Sequence, residues 1–367
     1  MVFPLLPLFA QTFKATAFDI GILAASFSIG QFFASPIFGR LSDRYGRKPI
    51  LLFSIVGSIV TFVMMAFANS LMVIFLSRVV HGIATAGNFP IAQAYIGDIV
   101  AKEKRAEYMG KIAAMFAMGF VVGPAIGGIL GNLGFSLAFV AAALITFANL
   151  ILVWIVLPES ITKKTEKFVL REGLFNFKAI YHGLRGDFGV LFFLLFSWSF
   201  YISNFQVAIP LLTESKFSMG PLENGTFFSI TGLASVISQW FLLPIFIKRI
   251  GEMKTILAGI CLMIVGQILT SFAASVFLFY IFFVISIVGS GIKRPTVNAV
   301  LSKATKEGQG TTMGLAFSFE SLGRVIGPLI AGATISSLGY SFPFWATVVV
   351  LCMGLILFYK VEMKKLR

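Results

Sequence analysis

Eleven long apolar stretches decide what this chain can fold into. Each has 20 or more residues, the length that an α-helix needs to cross a hydrocarbon core about 30 Å thick. Only 12% of the residues are charged and 58% are hydrophobic, whereas about a quarter of the residues of a soluble protein are charged. This composition excludes soluble globular, disordered and disulfide-rich secreted proteins. We predict an all-α membrane protein with spans near 19–39, 49–68, 71–97, 107–131, 134–157, 188–212, 223–247, 254–274, 276–301, 311–336 and 340–360.

Residues 1–13 form a shorter apolar stretch ahead of these spans. As a helix they reach roughly 20 Å, which is too short to cross the bilayer. They also lack the basic start and the small-residue cleavage site of a signal peptide. We interpret them as the second half of a truncated first span, so that the complete protein has an even number of spans. We therefore expect the reading frame to continue upstream by roughly 12–20 residues.

The basic residues predict the orientation in the membrane. If successive spans alternate in direction, 23 of the 29 Lys and Arg residues fall on one side, and only Lys14 and Lys216 fall on the other. Cytoplasmic loops carry the excess of Lys and Arg, so the basic side is predicted to face the cytoplasm. Both termini of the complete protein are then cytoplasmic, in a bacterial or archaeal inner membrane. The 23 residues lie within 40–48, 102–111, 163–185, 248–254, 303–306 and 360–367.

The chain contains an internal repeat. The sequence GFVVGPAIGG at 119–128 recurs as GRVIGPLIAG at 323–332, and the only long hydrophilic stretch, 158–187, lies between the copies. We predict two six-helix bundles, residues 1–157 and 188–367, joined by a cytoplasmic linker at 158–187. Parallel repeats of this kind are typical of transporters whose substrate site lies between the repeats near mid-membrane.

The loop between the second and third spans carries a dense motif, GRLSDRYGRK at 39–48. Its glycines permit a tight turn, and its cations hold it at the cytoplasmic face. The motif resembles the loop signature G-x-x-x-D-R-x-G-R-[KR] of the major facilitator superfamily, and every signature position is filled. The resemblance extends over the full length of the chain. It implies the fold of that family, two six-helix bundles that rock about a central site.

Two further motifs strengthen the resemblance. RVVHG at 78–82 is similar to the second motif of the family, and the Gly/Pro run of the fifth span is similar to the third, which is typical of the drug:proton antiporter branch. The stretch AYIGDIVAKEKRAEYMG at 94–110 resembles the corresponding part of bacterial tetracycline and quinolone exporters. The resemblance implies a hinge between the halves, and close packing of small residues is the alternative. The predicted hinge residues are Gly119, Gly123, Pro124, Gly127, Gly128, Gly327 and Pro328.

The resemblance also implies a conformational latch. Asp43 is expected near the amino end of the eleventh helix, whose dipole favours a carboxylate. Arg47 is expected to bridge to an acid at the cytoplasmic end of the fourth helix, where Asp98 stands. Together they hold the two halves closed when the protein faces outward, and three solvated loop charges are the alternative. The predicted latch residues are Gly39, Asp43, Arg44, Gly46, Arg47, Lys48 and Asp98.

Charged residues inside the spans are costly in lipid and are functional by default. Glu320 is the only acid deep in a span, and Arg324 lies four residues later on the same helical face. Two roles are open for Glu320, a proton carrier and a structural ion pair, and one acid among three cations favours the pair. The predicted coupling or substrate residues are Arg78, His81, Gln206, Lys293, Arg294, Glu320 and Arg324.

The presumed cavity departs from the related exporters in its charge. Those exporters carry coupling acids at positions where this chain has Gln206 and Gly291, so that proton coupling is implied by resemblance only. The excess of intramembrane cations favours an anionic or zwitterionic amphipath over a cationic drug.

The leading functional hypothesis is a monomeric secondary active transporter that moves a small amphipathic molecule by alternating access, with proton-coupled efflux. The absence of a G-x-x-x-x-G-K-[ST] loop argues against an ATP-driven pump, and the two histidines provide neither a metal site nor an enzyme centre. No cofactor or nucleic acid is expected, since the proton gradient is the presumed energy source. Three alternatives remain: an uptake system, a lipid or anionic-metabolite transporter of the same fold, and a transport-inactive fragment or sensor.

Overall fold

A computed structural model describes residues 2–101, 104–161, 188–305 and 309–365. These ranges contain helices and turns and no strand, which confirms the prediction of an all-α protein. The helices are α1 Leu5–Gln11, α2 Ala17–Tyr45, α3 Arg47–Ala66, α4 Leu71–Thr85, α5 Asn88–Ile99, α6 Arg105–Leu133, α7 Phe135–Val156, α8 Gly189–Phe217, α9 Pro221–Ile237, α10 Leu243–Ser271, α11 Val276–Ala304, α12 Gln309–Leu338 and α13 Phe342–Lys365, with a π-helical turn Ser238–Leu242 between α9 and α10.

Ten helical stretches in the described ranges are long and apolar enough to cross a membrane. One of them, Pro221–Ser271, has 51 residues, more than twice the length that a bilayer requires. Gly251 interrupts it with a φ of 78° and a ψ of 169°, a left-handed conformation that glycine adopts readily. The chain turns back at this point. The stretch therefore contains the two spans that were predicted separately at 223–247 and 254–274.

Contacts with α11 establish that the chain reverses at Gly251. A Cβ placed on Gly289 lies 2.6 Å from the carbonyl oxygen of Gly259, and a Cβ placed on Gly291 meets the side chain of Ser238. Gly259 and Ser238 are 21 residues apart, a distance of about 30 Å in a straight helix. Both nevertheless touch positions two residues apart on α11. Only a reversal of direction brings them together.

The predicted span at 71–97 is present in two segments. Helix α4 ends at Thr85 and α5 begins at Asn88. Pro90 follows two residues into α5 and has no backbone N–H to donate to the preceding turn, which accounts for a break at this position. Pro295, which lies 205 residues after Pro90 in the second repeat, is within the continuous helix α11.

The N-terminal helices (α1–α7) and the C-terminal helices (α8–α13) meet at two close crossings. At the first, a Cβ placed on Gly21 of α2 lies 2.5 Å from the carbonyl oxygen of Pro328 of α12. At the second, a Cβ placed on Gly225 of α9 lies 2.7 Å from the Cα of Gly128 of α6. Glycine removes the side chain that would keep the backbones apart. We call the face that carries the Lys and Arg clusters the basic face. Both crossings lie toward the opposite face.

Toward the basic face, α2 and α12 separate. Gly39 follows Gly21 by 18 residues on α2, and Gly314 precedes Gly332 by 18 residues on α12. Eighteen residues are five full helical turns, so each pair lies on one face of its helix. A Cβ placed on Gly332 lies 3.0 Å from the Cα of Phe18, whereas a Cβ on Gly39 or Gly314 meets no other described atom within 4 Å. At α2 and α12 the two sets of helices therefore touch at one end and stand apart at the basic face.

A buried apolar cluster closes the opposite face. It combines Phe9 of α1 and Leu23 of α2 with Leu211 of α8 and Ile335 of α12. Gln11 Nε2 donates a 2.8 Å hydrogen bond to Glu214 Oε2 beside this cluster. Helices of both sets thus contribute to a single buried cluster, which we call the apolar seal.

Candidate functional site

The latch residues of the basic face converge on Arg47, at the start of α3. Its Nη1 lies 2.6 Å from Asp43 Oδ1, and its Nε donates to Asp98 Oδ2 at 3.1 Å. Nη1 also donates to Ser42 Oγ at 2.7 Å. The Arg47 side chain is 12% exposed, so three partners from α2 and α5 hold a largely buried guanidinium. The predicted bridge between Arg47 and Asp98 is present.

Glu159, which the sequence interpretation missed, completes this group. Its Oε1 accepts from the backbone N–H of Arg47 at 2.9 Å, and Oε2 accepts from that of Lys48 at 3.2 Å. These N–H groups belong to the first turn of α3 and have no partner within the helix. The Lys48 ammonium donates to the Trp154 carbonyl at 2.7 Å. An acid just after a long span carries no motif of its own, so only the geometry identifies it.

The sharp turn at Gly46 makes room for this carboxylate. Its φ is 111°, and a Cβ there would meet the Glu159 carboxyl group. Glycine is thus required at this position both by the backbone conformation and by the space.

We expect Glu159→Ala to reduce transport several-fold and to lower thermal stability. The variant removes the acceptor for two N–H groups of α3, a loss of about 1 kcal/mol, and loosens the support of Arg47. Transport by the purified, reconstituted protein and its melting temperature are the measurements. Glu223→Ala is a matched control, since Glu223 accepts from the Gly220 N–H at the start of α9 on the opposite face. If both variants retain full transport, Glu159 has no part in the latch.

Two further latch residues, Gly39 and Arg44, lie on α2 shortly before Arg47. The Arg44 guanidinium lies 5.3 Å from the ring centroid of Tyr45. Gly39 lies one turn before Asp43 and faces open space. Residues 306–308, which directly precede α12, lie outside the described ranges, as does most of the predicted linker at 158–187. The closing role of the latch stays a prediction.

The predicted hinge residues lie on two different interfaces. Gly128 forms the close crossing with α9, and the Pro124 carbonyl lies against Gly225 in the same crossing. Gly327 packs on α8, where a Cβ would lie 2.7 Å from the Phe200 carbonyl oxygen, while the Pro328 carbonyl contacts Gly21. Gly119 faces open space. Gly127 is buried and Gly123 is half-buried within the continuous helix α6. These contacts show close packing, and a hinge motion remains a prediction.

A charged cluster lies in the middle of the C-terminal helices. Arg294 of α11 donates from Nε to Glu320 Oε1 at 2.9 Å and from Nη2 to Oε2 at 3.2 Å. Arg324 Nη1 is 3.8 Å from Glu320 Oε2. The predicted partnership of Glu320 with Arg324 is therefore the longer contact. A paired hydrogen bond with Arg294, from the neighbouring helix, is the shorter one.

Two aromatic and polar groups support this cluster. The Arg294 guanidinium stacks on Trp198 of α8, 4.1 Å from the ring centroid, and Trp198 Nε1 donates to Ser290 Oγ at 2.8 Å. Lys293 is fully buried and donates to Ser197 Oγ at 2.7 Å. Among the described residues, no carboxylate oxygen lies within 4 Å of its ammonium.

The N-terminal candidates form a separate group. Arg78 is 7% exposed and its guanidinium lies 4.4 Å from the Phe27 ring centroid. His81 contacts the rings of Phe27 and Phe62. Both Arg78 Nε and His81 Nδ1 are buried without a hydrogen-bond partner. Gln206 of α8 is half-buried. No described ion pair joins this group to the cluster of Glu320, and no described group of His, Cys, Asp or Glu has the arrangement of a metal site.

The comparisons with known proteins agree with this architecture. The model of the Major Facilitator Superfamily matches residues 1–251 and 241–367. The class C tetracycline resistance protein of Escherichia coli is 30% identical over 342 residues, 91% of this chain and 85% of that protein. Multidrug resistance protein 2 of Bacillus subtilis is 24% identical over 98% of this chain and 91% of its own length.

A solved structure shares the fold. The structure of a bacterial homologue of the human lysosomal transporter Spinster, described as inward-facing and unoccupied, has a TM-score of 0.78 at 16% identity. The superposition covers 99% of this chain and 92% of that one. The curated relatives match the drug:proton antiporter branch that the motifs predicted. The chain is an integral membrane protein that belongs to the Major Facilitator Superfamily.

Proposed function

We propose that this protein is a secondary active transporter that exports a small amphipathic molecule by alternating access, driven by proton influx. The observation that carries the proposal is the unequal separation of α2 and α12. They touch at Gly21 and Gly332 and stand apart at Gly39 and Gly314, five turns away. A central space that opens at one face only is the geometry that alternating access requires. Because the basic face is predicted to be cytoplasmic, the conformation is inward-facing.

Efflux and proton coupling draw their support from the relatives. Two of them are named for resistance to tetracycline and to multiple drugs, and a membrane transporter gives resistance most directly by removing the drug. Because the relatives match the drug:proton antiporter branch, we take the proton as the driving ion.

Transport in energised inside-out vesicles tests the proposal. A lumenal pH dye is followed while cationic, neutral and anionic amphipaths are added one at a time. We expect at least one class to release lumenal protons in vesicles that contain the protein, and not in vesicles without it. If no class produces a response from protein that is verified as folded and inserted, the assignment as a proton-coupled exporter fails.

We expect Glu320→Gln to act on stability more than on proton coupling. Both carboxylate oxygens are engaged by Arg294 in a site that is 7% exposed, and loss of a charge-assisted hydrogen bond costs about 1.5–3 kcal/mol. The melting temperature should therefore fall, while substrate-dependent proton release persists. Gln239→Ala, an uncharged and exposed residue of the same set of helices, is the control. Proton release that disappears in a folded Glu320→Gln protein would instead place Glu320 in the coupling path.

A further inference from the structure

The middle of the described spans contains four cations, and three of them are either paired with a carboxylate or buried away from solvent. Arg294 is paired with Glu320 and stacked on Trp198. Lys293 is 0% exposed and bonded to Ser197. Arg78 is buried against Phe27 in the other set of helices. The fourth cation, Arg324, is different.

Arg324 retains donors that the protein does not use. Its side chain is 27% exposed although it lies in mid-span. Of the five N–H donors of a guanidinium, the described hydrogen bonds engage one, from Nη2 to Ser321 Oγ at 2.8 Å. The nearest carboxylate oxygen, Glu320 Oε2, is 3.8 Å away and already accepts from Arg294. One exposed cation thus remains without a bonded anion.

The position of Arg324 places this charge between the two sets of helices. Phe317, Ser321, Arg324 and Pro328 follow one another at spacings of four, three and four residues, which put them on one face of α12. Pro328 on this face contacts Gly21 of α2. Arg324 lies one turn closer to the basic face than this contact, and ten residues from Gly314, where a Cβ meets open space. It therefore lies on α12 between the crossing with α2 and the separated basic end.

Aromatic rings lie close to the Arg324 guanidinium and its neighbour Arg294. The Phe317 ring centroid is 5.0 Å from the Arg324 guanidinium carbon, and Phe317 is 41% exposed. Trp198 is stacked on Arg294, which shares the Glu320 carboxylate with Arg324. A flat apolar body can pack on these rings while its charged group reaches the guanidinium.

We propose that Arg324 is the anion-binding residue of the substrate site, and that the ligand is an amphipath with one sulfonate or carboxylate group on an aromatic body. The role of this site in transport rests on the function proposed above, whereas binding itself does not. Arg294 contributes positive potential, and its pairing with Glu320 keeps its own guanidinium occupied.

A matched pair of fluorescent probes tests the site. 8-Anilinonaphthalene-1-sulfonate and N-phenyl-1-naphthylamine share one ring skeleton and differ by the sulfonate. Saturable binding is measured on the whole protein in nanodiscs, with empty nanodiscs subtracted. We expect the wild-type protein to bind the sulfonate at least tenfold more tightly than the neutral probe. Arg324→Gln should remove this preference, because it removes the charge that binds the sulfonate. The variant should still fold, because Glu320 keeps its ion pair with Arg294. Arg249→Gln, an exposed arginine of the basic face, should leave the preference unchanged.

A second measurement uses the wild type alone and so does not depend on how the variant folds. Naphthalene-1-sulfonate is expected to displace the sulfonate probe at a concentration at least tenfold lower than the neutral naphthalene-1-sulfonamide. Equal displacement by the two compounds overturns the proposal, as does an unchanged preference in a folded Arg324→Gln protein. Transport of a cationic dye without sulfonate-selective binding also overturns it and leaves the transporter function intact. Selective binding without any proton-coupled transport supports the anion site and overturns the proposed transport function.

Discussion

Asp43→Asn is expected to abolish transport in a protein that still folds and inserts. The Asp43 carboxylate lies 2.6 Å from Arg47 at the open basic face and is half exposed. Alternating access requires this face to close, which brings the basic end of α2 toward α12. A carboxylate near the amino end of a helix stabilises that state by up to about 2 kcal/mol in a partly buried geometry. The amide keeps the shape of the side chain and removes the charge, so the closed state loses this contribution while the open state survives.

Substrate-dependent proton release measures the loss of transport, and the melting temperature measures whether the variant still folds. Glu107→Gln is the matched control, because Glu107 also pairs with a cation four residues away at the same face, Lys111 at 2.8 Å, but the pair is fully on the surface. We expect the control to transport normally. Normal transport by Asp43→Asn would contradict the latch, and a lower melting temperature in that variant alone would show a structural role instead.

Gly332→Val is expected to hold the face opposite the basic face open and to stop transport. A Cβ at this position lies 2.5 Å from the Ala17 carbonyl oxygen and 3.0 Å from the Phe18 Cα, and a backbone cannot move aside as a flexible side chain can. Overpacking of this kind costs about 1–3 kcal/mol, which is roughly a tenfold or larger shift between two conformations. The crossing of α2 and α12 is therefore expected to open.

Labelling of a single cysteine measures this shift. Ala208→Cys places a thiol in the apolar seal, where Ala208 is 0% exposed, after the native Cys261 and Cys352 are replaced by serine. We expect Gly332→Val to increase labelling by a membrane-impermeant maleimide, added from the face opposite the basic face, at least tenfold. Ser336→Val lies one turn further along α12 on an exposed surface and should leave labelling low. Unchanged labelling in Gly332→Val would mean that the crossing tolerates a side chain and does not control access.

The positions of the spans and of the latch could be predicted from sequence because both rest on local patterns. Apolar length predicted two separate spans on either side of Gly251, where the chain reverses. Asp43 and Arg47 belong to the recognisable loop motif, and the family resemblance paired Arg47 with Asp98 at the end of the fourth span.

The partner of Glu320 and the role of Glu159 could not be predicted in the same way. A spacing of four residues indicates that Glu320 and Arg324 share a helix face, but not which neighbouring helix that face meets. The closer partner, Arg294, comes from α11. Glu159 acts through two backbone N–H groups of α3, and no side-chain pattern encodes an interaction with backbone. The open state of the basic face is likewise a property of how the helices are arranged.

The glycines at mid-length on α2 and α12 tie each helix to its own set. Eighteen residues separate Gly21 from Gly39, and eighteen separate Gly314 from Gly332, so the midpoints fall at Gly30 and Gly323. A Cβ placed on Gly30 lies 3.0 Å from the Val79 carbonyl oxygen of α4, and a Cβ placed on Gly323 lies 2.6 Å from the Phe196 carbonyl oxygen of α8. Backbones this close leave each helix little freedom to slide within its own set. We therefore expect α2 to travel with the N-terminal helices and α12 with the C-terminal helices, as parts of two rigid bodies, when the crossing between them opens.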